Sequence, residues 1–179
     1  MADTFKELGA TGLNEYSGII QEDFLSELRG RQGYKRYDEM RKNSPVVGAL
    51  MLAIEHSIRG VEWSFTSEQG PEDERLAILQ ESREKMEGSF ADHIIEALTM
   101  LPFGYALFEL VYQRYENHII WRKLAPRGQD TVERWLIDEA GTVTGIEQRP
   151  APKYNLVQIP TEKLIAYRTR SERGNPEGR

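Results

Sequence analysis

The sequence predicts an α+β fold, with N-terminal helices packed on a mainly antiparallel β-sheet. Three observations predict it. Helical hydrophobic patterns come first and strand patterns last, without the strict alternation of a doubly wound fold. The hydrophobic period switches from helical to two at Pro102–Gly104. Two turn signals, Glu116-Asn117-His118 and Glu139-Ala140-Gly141, separate alternating segments and read as hairpins.

Residues 1–20 hold Gly9, Gly12 and Gly18 among scattered hydrophobics with no sustained period, so they are expected to be a flexible N-terminal arm. Residues 21–28 read as a short helix through Phe24, Leu25 and Leu28, ended by Gly30 or Gly33. Tyr34, Tyr37 and Met40 continue helical spacing to Arg41. Ser44 is an N-cap and Pro45 suits the first helical position, where its missing N–H costs nothing. The body that follows carries Val46, Val47, Leu50, Ala53, Ile54 and Ile58 as an apolar stripe, so this helix is expected to lie on the core and to stop at Gly60. His56 falls off the stripe and reads as solvent-facing. Val61 to Phe65 alternates as a strand with Val61, Trp63 and Phe65 inward. Pro71 opens an acidic-ended helix that reaches Gly88.

Ser89 caps the next helix, with Asp92 in the acidic position three residues on. Phe90, Ile94, Ala97, Leu98 and Leu101 form its stripe, and Pro102 is expected to stop it. From Tyr105 to Arg114 both faces are apolar apart from Glu109, which places this strand at the centre of its sheet. A carboxylate there must be paired, hydrogen-bonded or protonated, or lie near the sheet margin where it reaches water or a structural arginine. Strands follow at Ile119–Ala125, Glu133–Asp138, Thr142–Gln148, Tyr154–Ile159 and Leu164–Arg168. Residues 21–170 are expected to make one α+β domain and 171–179 a C-terminal loop.

The chain has 179 residues, 39% of them apolar and 29% charged, enough to bury a core and unlike a disordered chain. The start MADTFKELGATG lacks a signal series, and no apolar run approaches the roughly 18 residues of a membrane helix, so the reading is cytosolic. The absence of cysteine removes disulfides, thiol nucleophiles and the usual structural zinc sites. A formal charge of −6 argues against general attraction to nucleic acid. The segment at residues 34–42 interleaves Tyr34 and Tyr37 with Lys35, Arg36, Arg41 and Lys42. It is either a nucleic-acid surface or an amphipathic helix with solvated cations.

Known catalytic motifs are missing. His93 and Glu96 stand one helical turn apart, but two ligands without a third are a weak metal signal. Asp73 and Glu74 suit a helix start better than acid–base chemistry. No catalytic, cofactor-binding or metal residue is therefore expected. A small hydrolase built on His93 is the least supported class.

The stretches YDEMRKNSPVVGALMLAIEHSIRGVEWSF, LPFGYALFELVYQR, WRKLAPRG and RGNPEGR occur in an order and spacing that resemble the bacteriophage portal proteins of the Mu-like group, from about Tyr37 to Arg179. The resemblance implies a structural, non-enzymatic virion protein without cofactors. Its family forms a usually dodecameric ring at a capsid vertex for DNA packaging and ejection. This chain would match the peripheral wing, with stem, clip and crown following Arg179. Implied partners are other portal subunits and capsid or scaffolding protein. Terminase and tail or neck proteins would bind through the later regions, and DNA would pass without sequence-specific binding. The implied location is the virion or host cytoplasm, with no membrane. Implied structural positions are Trp63, Gly104, Tyr105, Glu109, Pro126, Arg127, Gly174, Pro176 and Gly178, with Glu109 paired to a nearby arginine, Arg127 or Arg122.

Overall fold

The computed structural model describes residues 9–178, so the first eight residues of the expected arm lie outside the described residues. A hairpin of β1 (Glu15–Tyr16) and β2 (Ile19–Ile20) precedes five helices: α1 (Gly30–Asn43), α2 (Pro45–Arg59), α3 (Glu74–Lys85), α4 (Phe90–Ala97) and α5 (Met100–Phe103). Six strands follow: β3 (Tyr105–Tyr115), β4 (His118–Arg127), β5 (Val132–Ile137), β6 (Val143–Gln148), β7 (Val157–Pro160) and β8 (Leu164–Arg168). They form two three-stranded sheets, ordered β4-β3-β8 and β5-β6-β7, with antiparallel pairing throughout. The α+β expectation holds.

β3 is central and is the wall between two cores. Its odd residues Tyr105 and Leu107 pack with Ile20, Trp135, Ile146 and Ile159. Its even residues Ala106 and Phe108 pack with Met86, Ala97 and Leu124, flanked by Phe90, Trp121, Ile165 and Tyr167. A strand with a core on each side must be apolar on both faces, and this explains the pattern of Tyr105–Tyr115.

Local end signals act as expected. Ser44 Oγ accepts from the Val47 N–H at 3.4 Å, Asp73 Oδ1 from the Arg75 N–H at 3.0 Å, and Ser89 Oγ from the Asp92 N–H at 3.0 Å. Each satisfies an orphan donor of a helix start.

Several expectations are corrected. The helix expected over 21–28 is only a single 3-10 turn at Ser26–Leu28, and Gly30 and Gly33 lie within the first turn of α1 rather than ending anything. The helix expected from Pro71 begins at Glu74. Pro102 does not end α4; the chain breaks earlier, at Leu98, and Pro102 sits in the first turn of α5, where its missing N–H has no carbonyl to serve. Residues 61–65 are not a strand. Among the described residues no ladder partner reaches them, and they run across the helices as a strap: the Trp63 carbonyl accepts from Arg83 Nη1 at 2.6 Å, while Phe65 packs edge-on against Phe90 and beneath the Arg83 guanidinium. Trp63, expected inward, is 47% exposed.

α2 does not lie on the core with its stripe. None of its residues is buried. Val47, Met51 and Ile58 are turned partly inward, leaving Val46, Leu50 and Ile54 in solvent. The described part of the expected arm carries the β1–β2 hairpin. Its Gly18 carbonyl accepts from the Trp135 N–H at 2.9 Å, and Ile20 is buried in the first core. The C-terminal segment is a loop, yet it is not coreless: Asn175 and Pro176 are among the most deeply buried side chains.

Candidate functional site

Three of the nine positions singled out in the sequence converge where the helices hand over to the central strand. Gly104 ends α5 with φ +87°, a conformation that side-chain-bearing residues rarely adopt, and its N–H donates to the Met100 carbonyl at 2.7 Å. The Gly104 carbonyl accepts from the Thr169 N–H at 2.9 Å. It also lies 3.1 Å from Thr169 Oγ1, whose single proton is shared with the carbonyl of Gly178. Gly178, with φ +67°, passes so close that an added Cβ would stand 2.4 Å from the Gly104 oxygen.

The loop between is tied by its own bonds. Ser171 Oγ donates to the Asn175 carbonyl at 2.8 Å, the Asn175 N–H donates to the Glu172 carbonyl at 2.8 Å, and Asn175 Oδ1 accepts from the Glu177 N–H at 2.9 Å. Gly174 turns with φ +73° ahead of buried Asn175 and Pro176. Trp135 Nε1 donates to Glu177 at 3.5 Å, and the same indole meets the Tyr105 ring edge-on, with centroids 5.2 Å apart. Gly104, Tyr105 and Gly178 thus belong to one knot that joins the C-terminal loop to both sheets.

Glu109 and Arg127 make the second cluster. Arg127 Nε donates to Glu109 Oε2 at 3.0 Å, with Nη2 on the same oxygen, and both side chains are about three-quarters buried, at 23% and 24% exposure. Arg127 Nη1 also donates to the carbonyl of exposed Pro126 at 3.0 Å. Register selects this arginine: Leu107 faces Arg127 and Glu109 faces Ala125, so the pair is a same-face diagonal neighbour. Arg122 falls at the bulge opposite Val111–Tyr112 and donates to Glu87 instead, at 2.8 Å. Replacing Arg127 with methionine is expected to lower stability by about 1–2 kcal/mol, because a largely buried carboxylate loses its partner. Urea unfolding measures this. The Glu109→Gln, Arg127→Met double variant should recover part of the loss, and equal losses in both would remove the pairing role.

The chemistry-bearing residues are spent on packing. His93 Nε2 lies 3.0 Å from the Tyr167 hydroxyl, its ring sits edge-on to Phe108 at 4.3 Å, and Nδ1 has no partner. Burial pushes its pKa below the ordinary value, in the direction that favours the neutral imidazole. Burial, and then the charge of Asp92, raises the Glu96 carboxyl. Asp73 is held far below the usual carboxylate range by Arg75 first and Ser67 next, as a cap. Among the described residues no group of three metal-ligating side chains comes together.

The basic segment 34–42 is likewise engaged within the fold. Arg41 and Lys42 both reach Asp38, at 2.8 and 2.7 Å, Arg36 reaches Glu39 at 3.4 Å, and Tyr34 stacks on Phe103 at 4.4 Å with the Arg41 guanidinium over the same ring.

Sequence reasoning missed Thr169, Gln129 and Glu147. Gln129 Nε2 donates to the Tyr105 carbonyl at 2.8 Å and to Thr99 Oγ1 at 3.1 Å. Glu147, 3% exposed, is held by Arg134 and by Gln158 at 2.8 Å, and Arg134 keeps its carboxyl below the ordinary range. No local pattern marks such partners; only the Asn-Pro dipeptide of the terminal loop carried a turn signal.

The family model for the portal protein of Mu bacteriophage matches residues 34–179, a span that takes in both clusters and Trp63. The chain belongs to this portal family. The family is structural, and this portal chain has a structural, portal-type role. Its fold is also found in a chain from the virion of a native gene transfer agent particle, at 12% identity and a TM-score of 0.54, over 74% of this chain and 34% of that one. A second likeness is to a chain from the neck of an empty gene transfer agent particle, at 15% identity and a TM-score of 0.56, over 73% of this chain and 36% of that one. The portal chain therefore spans about a third of the length of the solved chains it resembles. No curated protein matches it in sequence. No helix among the described residues is long and apolar enough to cross a membrane.

Proposed function

We propose that this chain is the peripheral wing of a portal subunit, which assembles with further copies into a ring at a capsid vertex for DNA packaging and ejection. The family match over 34–179 carries this reading. The architecture suits it. A wing must hold its shape while a ring transmits load, and here one strand shared by two cores is fastened at its start by a terminal loop whose Asn175 and Pro176 are buried. The proposed partners are other portal subunits and capsid or scaffolding protein; terminase and tail or neck proteins would engage parts of the subunit beyond this chain. A formal charge of −6 fits a protein past which DNA slides without being gripped. Trp63, Gly174 and Pro176 serve in this reading as structural positions of the wing.

The test is native mass spectrometry and electron microscopy of the complete gene product. A closed ring of many copies is the expected result. A monomer at every concentration would remove the proposal.

A further inference from the structure

α2 presents to solvent what a helix usually hides. Val46, Leu50 and Ile54 are 69%, 61% and 40% exposed, and the smaller Ala49 and Ala53 between them are also exposed. Positions 46, 49, 50 and 53 stand at i, i+3, i+4 and i+7, the four corners of the hole that receives a knob from a facing element. A second apolar feature precedes α1. Phe24 is 97% exposed and Leu25 is 56% exposed, and neither joins a core cluster of the described residues. They are nonetheless held: Arg29 Nε donates to the Asp23 carbonyl at 2.9 Å, and the Leu28 N–H donates to the Leu25 carbonyl at 3.0 Å. A fixed, protruding phenylalanine is a knob in search of a hole.

The two features do not cover each other within one chain, since Phe24, Leu25, Val46 and Leu50 all stay exposed. The 14 residues of α1 stand between them, about 21 Å at 1.5 Å per residue. Their charges are opposite. Glu22, Asp23 and Glu27 flank the knob along the chain against one cation, Arg29. Arg41 and Lys42 precede the stripe, sharing the single carboxylate Asp38, and Arg59 closes it. Two unlike patches on one protomer make a head-to-tail contact, and such a contact generates a ring when the rotation closes.

We infer that the Phe24–Leu25 knob of one copy seats on the Val46–Leu50–Ile54 face of α2 in the next copy, as a subunit contact of the assembly. The inference rests on the ring reading above and names its contact surface. Outward placement of the stripe is then required rather than wasteful, since apolar area left in water by the protomer is covered in the assembly.

The absence of native cysteine makes the test direct. In the complete gene product, a Ser26→Cys, Ala49→Cys double variant, which keeps the knob, should give under mild oxidation a ladder of linked dimers, trimers and larger species. A mixture of the two single variants should give dimers, and neither single variant alone should link. Leu50→Glu should weaken association about thirtyfold, as loss of a central apolar contact does, with the thermal midpoint of the protomer unchanged. Linking by one single variant alone would mean a like-with-like contact and overturn the inference. Rings that form but do not link, or that tolerate Leu50→Glu, would overturn this contact and leave the ring reading standing. Monomers alone would overturn both.

Discussion

Replacing Phe108 with alanine is expected to remove about 3–5 kcal/mol of folding stability, the range for emptying a fully buried aromatic site. Phe108 is 1% exposed, at the middle of β3, and its ring meets His93 at 4.3 Å and Tyr167 at 5.8 Å. Both neighbours come from other elements, α4 and β8, so neither can collapse into the space without breaking the Nε2–hydroxyl contact they share at 3.0 Å. The cost should therefore fall in the upper part of the range. Against a total of roughly 5–15 kcal/mol for a domain, this is a large share. Urea unfolding should show a lower midpoint with an unchanged slope. A loss under about 1 kcal/mol would mean that β3 does not carry a closed second core.

Gly104→Val should cost about 2–3 kcal/mol, because a β-branched residue is forced to a positive φ of the kind that only glycine adopts freely. The residue cannot shift to escape. Its N–H is bonded back to Met100, its carbonyl is held by Thr169, and β3 begins at the next residue. A second consequence follows from the same bonds. The carbonyl that Thr169 grips also abuts Gly178, so strain at Gly104 should loosen the terminal loop. Hydrogen exchange at Asn175 and Glu177, whose N–H groups are bonded within that loop, should speed up in Gly104→Val and also in Gly178→Ala. Slow exchange there in both variants would separate the loop from the switch.

The reach of the sequence reading follows from the reach of its signals. Helix caps at Ser44 and Ser89, the turns at Glu116 and Gly141, and the change of period at Gly104 depend on atoms within about four residues of chain, and each appears where it was expected. Glu109 was legible as a carboxylate needing a partner. Its choice of Arg127 over Arg122 was not, because it follows from the register that sets Glu109 opposite Ala125 and Leu107 opposite Arg127, and no local pattern fixes that register. Val61 to Phe65 shows the opposite failure. Alternation was real, but a strand also needs an edge to pair with, and here the apolar residues drape over helices instead.

The sequence by itself determined the helix starts at Ser44 and Ser89, the hairpins of the later strands, the central place of Tyr105–Tyr115 and, through its motif order, the portal family. The tertiary structure alone decided which faces are covered: α2 turned its stripe outward, and Asn175, Pro176 and Gly178, in a stretch with scarcely a hydrophobic side chain, became buried. The physical reason is that backbone geometry is set by short-range sterics and hydrogen bonds, whereas burial depends on what arrives from far along the chain. Thr169 reaching Gly104 across 65 residues is such an arrival.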